Sequence, residues 1–130
     1  MKIVADANVL LAVVLGEPER DWAIRVTREG TAFAPKSLPF EIGNALTSLV
    51  KRKRLSPDGM IAAWTAASSY QVALVEIDMN SALRLAAAQN VYAYDAYVLQ
   101  CALERRARLL TLDRRMVSVG RAIGLDVLEP

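Results

Sequence analysis

The chain predicts an α/β fold: one three-layer α/β/α domain over residues 1–130, with a mainly parallel central sheet. Three observations carry this. Apolar runs of strand length alternate with segments whose apolar residues recur at helical spacing, which implies parallel strands covered by helices on both faces. The composition, 54% apolar and 23% charged with little proline or glycine, gives a real core and no disordered tract. Two strand-like runs also end on aspartate, at the edge where such sheets bind their ligands.

Taken in order, residues 2–5 read as a short buried strand, and 7–15 as a helix stopped by Gly16. Pro18 is suited to open a second helix, running to about Arg28 and ended by Gly30. Residues 31–34 form a strand closed by Pro35. From 38 to 53, Leu38, Ile42, Leu46, Leu49 and Val50 repeat at helical spacing. Ser56-Pro57-Asp58 supplies a capping serine and a first-turn proline for a helix to about Ser69. Residues 72–77 follow as a strand, 81–89 as a helix, 95–106 as a helix and 108–112 as a strand. A short helix over 114–119 ends at Gly120, and 125–128 is the last strand.

Four carboxylates stand where carboxylates should be rare. Asp6 and Asp113 close the runs Lys2-Ile3-Val4-Ala5 and Leu109-Leu110-Thr111-Leu112, while Glu41 and Asp95 interrupt apolar helical segments. A buried carboxylate is costly unless it is paired or binds a metal. The chain has no histidine and one cysteine, so a metal would take oxygen ligands, which favours a hard divalent cation over zinc. Each acid also has an ordinary explanation. Asp6 and Asp113 suit helix N-caps. Glu41, with Asn44 and Ser48, fits a solvated stripe. Asp95 suits the first turn of a helix.

Asn8 reads as a first-turn polar residue facing water, with a hydrogen bond into the acid site as the alternative. Thr111 is a β-branched strand residue whose hydroxyl could reach that site. Asp78 is expected to cap the helix that follows it, within ordinary turn chemistry. Lys51-Arg52-Lys53-Arg54 fits a helix C-terminus. Trp22, Trp64 and the tyrosines at 92, 94 and 97 are expected as core or interface aromatics rather than base-stacking platforms.

The net charge of +2 is too small to argue for nucleic-acid binding by itself. Cys101 is expected as a small core residue of a protein in a reducing compartment. Residues 9–15 are far shorter than the roughly 20 apolar residues a bilayer requires. The expectation is a soluble, cytoplasmic protein with no membrane partner.

Asp6-Ala7-Asn8, Glu41-Ile42-Gly43-Asn44-Ala45-Leu46, Tyr94-Asp95-Ala96-Tyr97 and Leu110-Thr111-Leu112-Asp113-Arg114-Arg115 resemble, in order and spacing, the motifs of PIN-domain proteins. Within these the chain resembles the VapC group of type II toxin–antitoxin ribonucleases. The resemblance implies a PIN-like α/β/α fold and a metal-dependent endoribonuclease. By matching positions, Asp6, Glu41, Asp95 and Asp113 would be the catalytic and Mg²⁺- or Mn²⁺-binding acids, with Asn8, Asn44 and Thr111 as supporting residues. Asn8 stands where the family often carries Ser or Thr. The resemblance further implies an RNA substrate, an inhibitory VapB-like antitoxin, a homodimer, and promoter DNA bound only through the antitoxin.

Without histidine, imidazole acid–base chemistry is excluded, so water activated by metal is expected to attack phosphorus and leave 5′-phosphate and 3′-hydroxyl ends. A receiver-type signalling domain would need an acidic pair after the first strand and a late lysine, yet no lysine follows Lys53. A haloacid-dehalogenase-type phosphatase would need an aspartate at position 8. A PIN-like binding module without turnover is the remaining alternative.

Overall fold

The computed structural model describes residues 1–130. Five strands alternate with seven helices: β1 (Lys2–Ala5), α1 (Ala7–Val14), α2 (Arg20–Arg28), β2 (Thr31–Pro35), α3 (Leu38–Lys51), α4 (Pro57–Ser68), β3 (Ala73–Val75), α5 (Met79–Gln89), α6 (Ala93–Arg105), β4 (Arg108–Leu110), α7 (Arg114–Ala122) and β5 (Val127–Leu128). The sheet order is β3-β2-β1-β4-β5, and every pairing is parallel. The fold is the expected three-layer α/β/α arrangement.

Strand alternation builds the two cores. In β1, Val4 faces a cluster with Leu99, Ala102 and Met116 from α6 and α7, while Ile3 and Ala5 face Val9, Val13 and Ala23 from α1 and α2. In β4, Leu109 joins the first cluster and Leu110 the second. Fully burying each such aliphatic side chain contributes about 1.5–3 kcal/mol. A further cluster packs Leu10 of α1 against Leu38, Ile42 and Leu46 of α3 and Ala63 and Ala67 of α4. Cys101 lies wholly inside the first core, where burial pushes its thiol up to about 11. No helix is long and apolar enough to cross a membrane.

The element ends differ from expectation for local reasons. Pro18 sits in the turn closed by Arg20 N–H donating to the Glu17 carbonyl (3.0 Å), ahead of α2 rather than inside it. Helix α5 starts two residues early because Asp78 caps it, accepting from Asn80 N–H (3.2 Å) and the Ser81 hydroxyl (2.7 Å). Gly120 does not stop α7. A Cβ there would lie 2.9 Å from Val127 Cγ2 and 3.2 Å from Leu109 Cδ2, so the glycine lets the helix lie close on β4 and β5. The turn after α7 comes at Gly124, whose φ of +90° suits glycine.

Sheet order also fixes where a ligand can reach the backbone. Chain progress from β1 through β2 to β3 runs one way, and β4 then returns to the other side of β1. The switch point lies between β1 and β4, and the crevice beyond their carboxyl ends is where open α/β sheets bind. Helices α1, α3 and α7 follow strands, while α6 runs back to feed β4. All four therefore begin at that same edge, with their partially positive N-termini turned toward it.

Candidate acidic active site

Four of the helices that begin at this edge each carry one of the four acids. Asp6 is the N-cap of α1, Glu41 and Asp95 lie in the first turns of α3 and α6, and Asp113 is the N-cap of α7. Capping is a real part of two of these placements: Asp6 Oδ1 accepts from Ala7 N–H (2.8 Å), and Asp113 Oδ1 accepts from Arg115 N–H (2.8 Å) and Met116 N–H (3.4 Å).

Asp6 is only 8% exposed, and its second oxygen is held from across the switch point. The Thr111 hydroxyl donates to Asp6 Oδ2 at 3.0 Å, and Asn8 Nδ2 donates to the same oxygen at 3.2 Å. Thr111 Oγ1 in turn accepts from Asp113 N–H (3.1 Å) and from Asn8 Nδ2 (3.4 Å). Asn8 Oδ1 accepts from Leu112 N–H at 3.1 Å.

Asn8 therefore does not simply face water, as the sequence suggested; its amide straps the end of β1 to the segment after β4. Thr111 lies past the end of β4, fully buried, and its hydroxyl does reach the acid. Asn44 is exposed, one turn along α3, and its side chain takes no part in this network.

Electrostatics tie the acids together. Burial, opposed by the Thr111 hydrogen bond and reinforced by the charge of Asp95, pushes the Asp6 carboxyl up to about 6. Burial, then repulsion from Asp6 and Asp95, pushes Glu41 up to about 8. Glu41 Oε2 is buried with no hydrogen-bond partner in the protein. Asp95 is raised by burial and by Asp113, against the favourable charge of Arg115. Arg115 is thus the cation that tempers Asp95, and it also donates to the Asn90 carbonyl. Asp78 stands apart as a helix cap, its carboxyl lowered mainly by the Ser81 hydroxyl.

No three acidic side chains converge to the spacing of a preformed metal cage. That suits some hard cations better than others. Mg²⁺ keeps several waters and is commonly held by one or two carboxylates plus substrate phosphate. An all-oxygen donor set, a partnerless buried Glu41 oxygen and mutually repelling acids fit such an ion. They do not fit zinc, which wants sulfur or imidazole.

The model of the PIN domain matches residues 3–122. No curated relative matches the sequence. Among solved structures, PAE2754 from Pyrobaculum aerophilum aligns with a TM-score of 0.74 at 22% identity, over 98% of this chain and 83% of that one. The structure of VapBC2 from Rickettsia felis bound to a promoter DNA fragment gives 0.71 at 11% identity, over 98% of each chain. Mycobacterium tuberculosis VapC20, described as a toxin that cleaves the sarcin-ricin loop, gives 0.68 at 16% identity, over 98% of this chain and 99% of that one. At these identities the similarity speaks for the fold.

Proposed function

The chain belongs to the PIN-domain family, and from that premise we propose that it is a VapC-like toxin: a Mg²⁺- or Mn²⁺-dependent endoribonuclease held in check by a VapB-like antitoxin. The observation that carries this is the set of mutually repelling acids at the switch point, above all the buried Glu41 oxygen with no hydrogen-bond partner, raised by the charge of Asp6. Burying a carboxylate oxygen that nothing satisfies only destabilises the free protein, and a bound cation would satisfy it. The solved VapBC2 assembly and the toxin VapC20 share the fold, which supports the toxin reading and the antitoxin partner. An RNA substrate, a homodimer and contact with promoter DNA only through the antitoxin belong to the same proposal.

In this reading Asp6, Glu41, Asp95 and Asp113 would hold the cation between them, one or two directly and the others through its waters. A bound Mg²⁺ or Mn²⁺ would lower the pKa of a water and offset charge on the phosphorus centre. The chain's own residues do the rest. Thr111 and Asn8 fix the rotamer of Asp6 through one oxygen. Asn8 also locks the segment after β4, which sets where Asp113 begins α7. Arg115 lies close enough to Asp95 to offset its charge before any cation arrives. With no histidine in the chain, proton movement at the scissile phosphate falls to water and carboxylates. In-line attack by water then gives 5′-phosphate and 3′-hydroxyl ends.

The test is to incubate the purified protein with total RNA and Mg²⁺ or Mn²⁺ and to sequence the new ends. Discrete cuts with 5′-phosphates, abolished by EDTA and by Asp6→Asn, are expected. Cleavage that persists in EDTA would refute the metal-dependent scheme, and no cleavage of any RNA would favour a binding module.

A further inference from the structure

We infer that the cleft between the carboxyl ends of β2 and β3 is a subsite that receives one nucleobase of the RNA strand lying across the acids. The inference rests on the nuclease reading. The cleft holds about 470 Å³. Its floor is Pro35 and Val75, which pair in register, and the Lys36 N–H donates to the Val75 carbonyl (3.1 Å), extending the ladder one step beyond. Its walls are Ser37 at the start of α3, Tyr97 on α6 and Met79 on α5.

The same helices lead from the cleft to the acids. The Ser37 carbonyl accepts from Glu41 N–H at 3.1 Å, one turn along α3, and Tyr97 and Asp95 lie two positions apart on α6, on different faces of that helix. The cleft lies one strand over from the acids, beyond the carboxyl ends of β2 and β3. The repelling carboxylates do nothing to hold RNA there without a cation, and Lys36 brings a positive charge to that side.

The lining has the chemistry of a base site. Tyr94 packs edge-on against Tyr97, with ring centroids 5.8 Å apart at 89°, which holds the Tyr97 ring in place. Met79 adds an exposed, polarisable thioether. Lys36 Nζ and Glu76 Oε1 form an ion pair of 3.0 Å whose side chains are 61% and 83% exposed. Such a pair contributes little and opens readily, leaving a donor and an acceptor for the polar edge of a base. Ser37 Oγ is shielded from solvent and has no hydrogen-bond partner in the protein; a change of its side-chain rotamer would offer it to a polar ligand edge. A flat, amphipathic ring with mixed donors and acceptors fits this lining, and aromatic stacking accepts any base.

The test titrates the ¹⁵N-labelled full chain with the four ribonucleoside 5′-monophosphates and, as a control without a base, ribose 5-phosphate. Amide shifts are expected at Lys36, Ser37, Glu76, Met79 and Tyr97 with at least one nucleotide and not with ribose 5-phosphate. Tyr97→Ala should weaken that binding about tenfold, within the range for a lost stacking partner, while Tyr97→Phe retains it. Lys36→Ala, at an exposed position where folding is not at risk, should weaken it as well. Equal shifts with ribose 5-phosphate, unchanged binding in Tyr97→Ala, or shifts only elsewhere would overturn the subsite. Dilution-dependent shifts of the same amides without ligand would mean that a second copy covers the cleft, and would also overturn it. Binding here by a protein that cuts no RNA would leave the subsite standing and refute the nuclease reading instead.

Discussion

Replacing Glu41 by glutamine in the metal-free protein should stabilise it, by an amount that depends on pH. Burial and the charges of Asp6 and Asp95 move the Glu41 carboxyl from an ordinary 4.5 to about 8. At about 1.36 kcal/mol per tenfold change in proton affinity, full conversion would give about 5 kcal/mol. The side chain is only partly buried, so solvent screening reduces this to about 2 kcal/mol.

The sign follows from linkage. Below pH 4.5 the carboxyl is protonated in both the folded and unfolded chain, and wild type and Glu41→Gln should be equally stable. Between pH 4.5 and about 8 the unfolded chain has released this proton while the folded wild type still holds it, so wild-type stability falls progressively across that window and levels off once the folded carboxyl ionises. Glutamine cannot titrate, and since Glu41 Oε2 has no hydrogen-bond partner in the protein, the exchange sacrifices no bond at that atom.

The assay is urea unfolding of both proteins in EDTA at a series of pH values from 4.5 to 9. The difference should open from near zero to about 2 kcal/mol in favour of the variant. A difference that stays flat across this window, or a variant less stable at pH 9, would refute the reasoning. Saturating Mn²⁺ should narrow or reverse the gap, because only wild type keeps the full donor set and ligand binding stabilises the folded state.

Other changes should act as follows. Thr111→Val keeps the shape but removes the hydroxyl that donates to Asp6 Oδ2 (3.0 Å). It should cost about 1–3 kcal/mol in chemical denaturation and move the Asp6 carboxyl further above about 6 in a carboxylate titration. Gly120→Ala places a Cβ 2.9 Å from Val127 Cγ2 and should destabilise by about 1–3 kcal/mol, read as a lower unfolding midpoint. Asp95→Asn should abolish RNA cleavage in a gel assay while leaving the circular dichroism spectrum unchanged, since it also relieves repulsion from Asp113.

Much of this architecture is legible from local chemistry. The strand at residues 2–5, the serine cap before Pro57 and the apolar spacing of α3 each depend on neighbours in sequence. The acids are legible for the same reason: each interrupts or closes an apolar run, whatever its distant partners. Contacts across the sheet leave no such trace. Asn8 and Leu112 are 104 residues apart, and nothing near Asn8 signals that its amide will take the Leu112 N–H.

That one bond also explains why β4 stops at Leu110 although its apolar run continues to Leu112, because the next donor has been captured by a side chain. Gly120 reads as a helix stop only when the Val127 and Leu109 side chains beneath it are unknown. Tyr92 reads by type as a core or interface aromatic, and at 85% exposed, at the N-cap of α6, it is outside the core. Tyr97, of the same type, borders an open cleft.

The central claim is that the four acids at the switch point act together on one hard cation. Titrating Mn²⁺ into the metal-free protein, without RNA and with binding followed by electron paramagnetic resonance, tests it most directly. Wild type should bind Mn²⁺ and compete with Mg²⁺ for it, and both Asp6→Asn and Glu41→Gln should weaken binding by roughly tenfold or more. Wild type that binds no Mn²⁺, or variants that bind it as tightly as wild type, would contradict the account.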